Sequence, residues 1–242
     1  MKNPKFSILI PVLITQEYQY MMTKACLQNI HGFSYDYEII LLHSIEEFHG
    51  EHLKKFLRPK KDQYIGFKEN ISQPAALNIG INKARGEYII LIGNDNFVHQ
   101  NWLKEIDKRL GNKDVPILAS CVDRMPPQEW KKYRDIHKDT NYVTHTNFPY
   151  VNFQGVTIPK KIFDDVGLFD EKFTFYLWEM DFRNRLDLKG YSVGGVIDSL
   201  MTTPQNMTRI SETLPEGVTN YWTDESNKKE QEYYLEKWDR EP

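Results

Sequence analysis

The sequence predicts an α/β fold in which helices flank a doubly wound sheet. Short apolar runs alternate with helical patterns through the first half of the chain, and a sheet covered by helices requires this alternation. Three strand–helix units before a fourth strand place a ligand crevice beyond the carboxyl ends of the strands. The predicted strands are 6–11, 38–42, 64–67 and 88–92, and the predicted helices between them are 17–29, 46–56 and 74–84.

The strands of the first half are runs of β-forming residues. FSILIP at 6–11 is an apolar run that Pro11 should interrupt, because proline donates no hydrogen bond to a sheet. EIILL at 38–42 and the short YIGF at 64–67 are the second and third runs. YIILI at 88–92 stops abruptly at Gly-Asn-Asp-Asn, which predicts the end of a buried strand.

The helix before the fourth strand has a clear apolar face. Four positions of this helix share one side at helical spacing. Gly86 lies just beyond the pattern and should end the helix, as glycine commonly does. The four positions are Ala76, Ile79, Gly80 and Ala84.

The second half is less regular, and no internal repeat or low-complexity linker divides the chain. A charged and aromatic tail at 220–242 predicts a peripheral helix. We therefore expect one domain of 242 residues. The remaining predicted elements are strands at 117–122, 152–158 and 191–196 and helices at 160–166 and 175–188.

Composition excludes several classes of protein. A net charge of −3 and 40% hydrophobic residues indicate neither disorder nor a strongly nucleic-acid-binding surface. Cys26 and Cys121 lie far apart without CxxC spacing, which argues against a zinc site and a disulfide scaffold. No transmembrane run or signal peptide is visible. We expect a cytoplasmic protein. The basic run at 54–61 favours a solvated helix end and leaves contact with anionic lipid or an anionic acceptor open.

One acidic feature stands at the end of the fourth predicted strand. Asp95 lies between Asn94 and Asn96, and one aspartate there suffices for Mg²⁺ if phosphates and water complete the coordination shell. The alternative is a turn in which these three side chains cap the following helix. For residues of this composition alone, a capping turn is more common than a metal site.

A second acidic feature is the segment FYLWEMDFRNR at 175–185. Glu179 lies among aromatic residues that can desolvate it and raise its pKa toward that of a useful base. Asp181 lies four residues before Arg185, a spacing that favours a structural ion pair. For both acids the alternative is a solvated helix face.

The order of these features resembles the family 2 glycosyltransferases of the GT-A fold. SILIPVL resembles the family's first strand, and NISQPAALNIGINKARGEYIILIGNDN resembles its helix, AxGxY turn and acidic metal motif. GVTIPKKIFDDVGLFDEKFTFYLWEMDFRNRLDLKGYSV resembles the acceptor-side segment, and YYLEKW resembles the tail. The resemblance implies a single GT-A domain with a mixed sheet. It assigns 1–100 to the nucleotide-sugar half, 101–205 to the acceptor side and 206–242 to a peripheral tail.

The resemblance also implies a reaction. Asp95 would hold Mn²⁺ or Mg²⁺ on the diphosphate of a nucleoside-diphosphate sugar. Glu179, where the family usually has an aspartate, would deprotonate the acceptor hydroxyl during an inverting transfer. Asp181 matches the second carboxylate of that motif, and Trp178 replaces the acid often found before it. The implied donor-binding residues are Pro11, Leu13, His43, Gln73, Asn78, Gly93, Asn94 and Asp95, and the implied acceptor-side residues are Trp178, Asp181 and Gly155.

Several of these positions keep a second interpretation. Pro11 is also a plausible strand terminator, and Gln73 and Asn78 suit a helix start and helix packing equally well. A lone histidine such as His43 is more often only a surface or satisfied residue. Residues 126–149 form a candidate acceptor lid or a packed surface excursion.

The sequence also departs from the family pattern. Gly93 replaces the first aspartate of the metal motif, His43 and Ser44 replace the aspartates that usually meet the base, and Thr203 lies near a metal-binding histidine's usual place. These changes favour one rival, a catalytically silent relative that binds a glycan or partner. A nucleotidyltransferase is a second rival, and it would need further carboxylates. A glycan, a lipid-linked glycan, a protein or a nucleic acid could each supply the acceptor hydroxyl.

Overall fold

The computed structural model describes residues 2–111, 113, 115–122, 143–144, 153–203 and 223–240. The candidate lid at 126–149 lies outside the described residues except for its two-residue strand. The strands are β1 (Phe6–Leu13), β2 (Tyr37–Ser44), β3 (Gln63–Phe67), β4 (Tyr88–Leu91), β5 (Phe97–Val98), β6 (Ile117–Val122), β7 (Val143–Thr144), β8 (Val156–Pro159) and β9 (Val193–Thr202). The helices are α1 (Glu17–His31), α2 (Gly50–Lys54), α3 (Gln73–Lys83), α4 (Trp102–Asp107), α5 (Ile162–Val166), α6 (Trp178–Leu188) and α7 (Asp224–Trp238).

The described strands form one mixed sheet, as predicted. Its order is β3-β2-β1-β4-β8-β6-β9-β5, and β7 pairs with β9. The first four strands in this order are parallel, whereas β8 runs antiparallel to both β4 and β6. The carboxyl ends of β1, β2, β3 and β4 therefore meet at one edge of the sheet.

Pro11 does not break the first strand, contrary to the sequence prediction. Strand β1 continues to Leu13 and stays in register with β2 to its end. The Leu9 carbonyl accepts a hydrogen bond from the Ile92 N–H, so it faces the β4 side of β1. Backbone groups two residues apart in a strand face the same side, so the backbone of Pro11 faces that side too. The β1–β4 ladder ends at Leu91, so no donor is needed from Pro11.

Helix α3 also ends differently from the prediction. It stops at Lys83, and Ala84 is already extended at φ −64° and ψ 133°. Gly86 is required by close approach instead, because a Cβ there would lie 2.6 Å from the Ser7 backbone nitrogen. Ile79 is 37% exposed, so the buried face is made by Ala76, Leu77, Gly80 and Ile81.

Left-handed residues shorten three other predicted elements. Ile45 and His49 have φ near 60°, which reduces the second predicted helix to α2. Leu177 at φ 56° delays the start of α6, and Gly155 at φ 72° delays the start of β8. A residue other than glycine adopts a left-handed backbone only where tertiary packing holds it there. Hydrophobic periodicity therefore did not predict these element boundaries.

Two hydrophobic clusters cover the two faces of the sheet. One joins β1 and β2 to α3, α5, α6 and α7, and it contains a group of aromatic rings around Phe169 and Phe182. The other lies beneath α1 and α4. Tyr234 of α7 is only 1% exposed and belongs to the first cluster, so the tail helix packs into the core. Within the described ranges, no helix is long and apolar enough to cross a membrane.

A buried ion pair joins β2 to the turn before β4. Glu38 is fully buried and accepts hydrogen bonds from Ser7 Oγ at 2.7 Å, Gln63 Nε2 at 2.9 Å and Arg85 Nε at 2.7 Å. Burial alone would raise the pKa of Glu38. The hydrogen bonds from Arg85, Gln63 and Ser7 outweigh burial and hold this pKa below its usual 4.5.

We expect Glu38→Ala to lower the free energy of unfolding by about 2–4 kcal/mol, because the Nε–H and the backbone N–H of Arg85 both lose their acceptor. Glu47→Ala, at an exposed position, serves as the control and should change stability by less than about 0.5 kcal/mol. Urea unfolding measures both. A depressed pKa stabilises the fold only while the acid is ionised, so the difference from wild type should shrink as pH falls through that pKa. A difference independent of pH would contradict this account.

Candidate active site

Two adjoining cavities open at the carboxyl ends of the parallel strands. The first cavity has a volume of about 230 Å³ and the second about 330 Å³. Asp95 lines the first and Glu179 lines the second. Both cavities share a wall, so groups bound in them would lie next to each other. The shared wall consists of Pro11, Gln73, Gly93, Gln154 and Phe175.

The turn after β4 is held by its amide side chains. Asn96 Oδ1 accepts the Gly93 N–H at 2.9 Å, and Asn96 Nδ2 donates to Thr203 Oγ1 at 2.7 Å. Asn94 Nδ2 donates to Thr23 Oγ1 on α1 at 2.8 Å. Strand β5 follows the turn directly, so these side chains do not cap a helix. The amides fix the turn and leave Asp95 at the cavity.

Asp95 can contribute one carboxylate to a metal site. It is 6% exposed and is the one acid among the described residues that line the first cavity. A Cβ on Gly93 would stand 2.9 Å from Asp95 Oδ1, so glycine leaves this oxygen uncrowded. Throughout the described chain, no three His, Cys, Asp or Glu side chains converge on a metal-sized site. The donor set therefore fits a hard divalent cation that takes its other ligands from a diphosphate and water.

Glu179 has the properties of a general base. It lies in the first turn of α6, next to Trp178, whose ring packs 4.9 Å from that of Phe169. Desolvation raises the pKa of Glu179 from 4.5 to about 7, and the charge of Arg183 opposes this rise. A carboxyl with such a pKa can accept a proton near neutral pH. Trp178 also lines the second cavity.

Asp181 points away from both cavities. It is fully buried and accepts hydrogen bonds from Arg185 Nε at 2.9 Å and Trp238 Nε1 at 3.1 Å. Lys237 Nζ lies 2.7 Å from Asp181 Oδ1, the oxygen that also accepts from Trp238. The ion pair with Arg185 that the spacing favoured is present. Asp181 thus joins α6 to α7, and the structure does not place it on the acceptor side.

Gly155 likewise lines neither cavity. Its N–H donates to the Leu91 carbonyl at 2.7 Å, and its carbonyl accepts the Ser120 N–H at 3.1 Å. At φ 72°, a Cβ would meet Met201 Sδ at 2.3 Å. Gly155 therefore lets the chain turn between β4 and β6, and the preceding residue, Gln154, is the one that lines both cavities.

Most of the implied donor-binding residues come together in the first cavity. Pro11, Leu13, Gln73, Gly93 and Asn94 line it together with Asp95. These residues come from the ends of β1 and β4 and the start of α3. The parallel topology explains why segments so distant in sequence meet there.

His43 is not part of this cavity. Side chains alternate along β2, so Leu42 and Ser44 line the first cavity while His43 faces the opposite side of the sheet. Its Nδ1 lies 2.8 Å from the Tyr64 hydroxyl. Burial, together with smaller contributions from the charges of His49 and Lys54, lowers the pKa of His43 to about 4. His43 is thus a neutral core histidine.

Asn78 orients a loop and does not line either cavity. Its Oδ1 accepts the Phe169 N–H at 2.9 Å, and its Nδ2 donates to the Phe169 carbonyl at 2.9 Å and to Glu171 at 2.8 Å. These bonds join α3 to the GLFDE turn that precedes α6. Asn78 therefore fixes the position of this turn relative to α3.

Sequence reasoning missed several lining residues. Gln19, Asn70, Gln154, Thr174 and Phe175 all line the first cavity, and four of them lie in loops or turns. Loop residues follow no helical or strand period, so the sequence indicated these positions only through neighbouring motifs. Thr174 lies four residues before the WEMD segment at 178–181 and Phe175 lies three residues before it, and Gln154 precedes a glycine.

The chain is similar to known glycosyltransferases in sequence. A family description, "Glycosyl transferase family 2", matches residues 7–168. Uncharacterized glycosyltransferase RP339 of Rickettsia prowazekii is 30% identical over 132 residues, 48% of this chain and 41% of that protein. Glycosyltransferase GlyA of Streptococcus pneumoniae is 22% identical over 172 residues, 69% of this chain and 21% of that protein. The chain spans less than half the length of these curated relatives.

Solved structures share the fold. A mannosyltransferase from Pyrobaculum calidifontis, in complex with GDP-Man and Mn²⁺, has a TM-score of 0.65 at 15% identity, over 85% of this chain and 59% of that one. GalNAc-T7 with UDP, GalNAc and Mn²⁺ has a TM-score of 0.62 at 12% identity, over 83% and 44% of the two chains. The GT-A fold predicted from the sequence is confirmed by these neighbours. Because the family match extends over residues 7–168, more than half of the chain, this protein belongs to glycosyl transferase family 2.

Proposed function

We propose that the protein is an inverting glycosyltransferase that moves a sugar from a nucleoside-diphosphate sugar to an acceptor hydroxyl. The carrying observation is the placement of two acids in adjoining cavities, Asp95 in the first and Glu179 in the second. Family membership and fold support the use of a nucleotide sugar. In this proposal, 1–100 form the donor half, 101–205 the acceptor side and 206–242 the C-terminal tail.

The donor would lie across the strand ends. With its diphosphate at Asp95, the nucleoside would extend over Pro11 and Leu13 toward Ser44. Strands β4 and β2 are separated by β1, so this span is about 10 Å at the usual strand spacing. The sugar would then face the wall shared with the second cavity.

Glu179 would act on the acceptor. Its ionised carboxylate accepts the hydroxyl proton while the acceptor oxygen forms a bond to the anomeric carbon. The bond from that carbon to the diphosphate oxygen breaks, and the nucleoside diphosphate leaves with the electron pair. Attack on the face opposite the leaving group inverts the anomeric configuration. Mn²⁺ or Mg²⁺ held at Asp95 would supply positive charge to the departing diphosphate.

The two carboxyls suit these different roles because their surroundings differ. Asp95 lies between two amide side chains, and Asn96 Nδ2 lies 3.4 Å from Asp95 Oδ1. Glu179 lies beside Trp178 and Leu177 in the second cavity, where desolvation favours its proton-bound form up to about pH 7. Distinct environments of this kind commonly separate a binding carboxylate from an acid–base one.

We expect Asp95→Asn to weaken metal-dependent nucleotide binding by at least about tenfold, because the amide keeps the shape but removes the charge that holds the cation. Calorimetry with UDP, GDP, CDP and dTDP, each with Mn²⁺, Mg²⁺ or EDTA, measures this. Metal alone should bind weakly, since the protein supplies one carboxylate. Asp164→Asn, at an exposed position, is the matched control. Failure of the wild type to bind any nucleotide would favour the silent relative.

We expect Glu179→Gln to lower kcat about 10²–10⁴-fold while donor binding stays within about twofold, because only proton transfer is lost. In the wild type, the base form predominates above its pKa, so kcat/KM should rise with pH through about 7. Arg183→Met should move this midpoint upward, since the charge of Arg183 lowers the pKa. Glu236→Gln is the exposed control. A Glu179→Gln enzyme with full activity would exclude Glu179 as the base.

A further inference from the structure

A short segment before α6 forms part of both cavities. Thr174 lines the first cavity, and Phe175 lines the first and the second. The segment belongs to neither a helix nor a strand, so its backbone groups need partners from elsewhere. The Thr174 carbonyl accepts the N–H of Gln73, itself a residue of the shared wall.

The donors of this segment all bond to one carboxylate on α7. Glu230 Oε1 accepts the Thr174 N–H at 3.0 Å, Thr174 Oγ1 at 2.6 Å and the Phe175 N–H at 3.1 Å. Glu230 is only 3% exposed. Its Oε2 is buried and has no hydrogen-bond partner in the part of the chain that the structure describes. Burying a carboxylate costs free energy unless hydrogen bonds replace its hydration. The three bonds from Thr174 and Phe175 do so for Oε1.

Helix α7 is held firmly enough to position the segment. Asn184 Nδ2 of α6 donates to the Tyr234 hydroxyl at 2.6 Å, one turn after Glu230. Lys237 and Trp238 both contact Asp181 of α6, at 2.7 and 3.1 Å. The carboxylate that binds the segment is therefore anchored to the helix that carries Glu179.

We propose that Glu230 is a positioning residue that fixes the shared wall at Thr174–Phe175 and so sets the alignment of donor and acceptor. The proposal rests on the proposed transfer function. Glu230 lies beyond residues 7–168, so the family match assigns it no role. It touches no reacting group and acts through Thr174 and Phe175.

The first test uses amide hydrogen exchange and needs no substrate. Glu230→Ala leaves two N–H groups and one hydroxyl without their acceptor, so the amides of Thr174 and Phe175 should exchange at least about tenfold faster. Glu230→Gln keeps an acceptor oxygen and should restore most of the protection. Glu232→Ala, an exposed acid on the same helix, is the control. Unchanged protection in folded Glu230→Ala protein would overturn the proposal.

The second test measures kinetics on the same variants, below the melting temperature of each. Glu230→Ala should raise the donor KM and lower kcat, each on the order of tenfold, because a displaced wall misaligns the reactants. Glu230→Gln should recover most of both, and Glu232→Ala should match the wild type. A folded Glu230→Ala enzyme with wild-type kcat and KM would overturn the proposal.

A third variant covers the case in which Glu230→Ala does not fold. Thr174→Val removes one of the three bonds and keeps the shape of the side chain, so it should raise the donor KM a few fold. If folded Thr174→Val leaves both the donor KM and the exchange of the Thr174 and Phe175 amides unchanged, the proposal fails. Wild-type protein that binds no nucleotide defeats the proposed function, and that result appears before any Glu230 variant is compared.

Discussion

The convergence of four parallel strand ends at one edge of the sheet is the constraint on which the rest of the site depends. Parallel strands require crossover segments, so β1, β2, β3 and β4 are brought side by side by α1, α2 and α3. Their ends place Leu13, Ser44 and the turn at Gly93 around one cavity. The antiparallel strand β8 then adds Gln154 from the other half of the chain. Each half contributes walls, and neither half alone encloses the site.

Polar side chains at this edge divide into those that hold loops and those that face the cavities. Asn96 closes the turn after β4 and ties it to Thr203, while Asn78 ties α3 to the GLFDE turn. Asp181 joins α6 to α7. Each of these groups is buried and has several hydrogen bonds, which makes its replacement costly. Asn96 fixes the turn that carries Asp95, and Asp181 fixes the helix that carries Glu179, so the placement of the two acids depends on residues that line neither cavity.

The C-terminal helix extends this arrangement beyond the part of the chain that the family match includes. Its inner face enters the core at Tyr234, and Glu230 reaches the segment between the two cavities. The helix thereby connects the wall shared by the cavities with the helix that carries Glu179. The cavity lined by Asp95 and the helix that carries Glu179 are thus linked through α7.

The sequence by itself determined the fold class, the strand that ends at Asp95 and the helix that carries Glu179. Local patterns suffice for these features, because buried strands and amphipathic helices have characteristic periods. Only the tertiary structure decided which candidate residues face the cavities. Successive side chains of a strand face opposite sides of the sheet, so His43 lies in the core and the next residue, Ser44, lines the cavity. Asn78 bonds to a residue 91 positions away and Glu230 to one 56 positions away, and no local pattern encodes contacts at such separations.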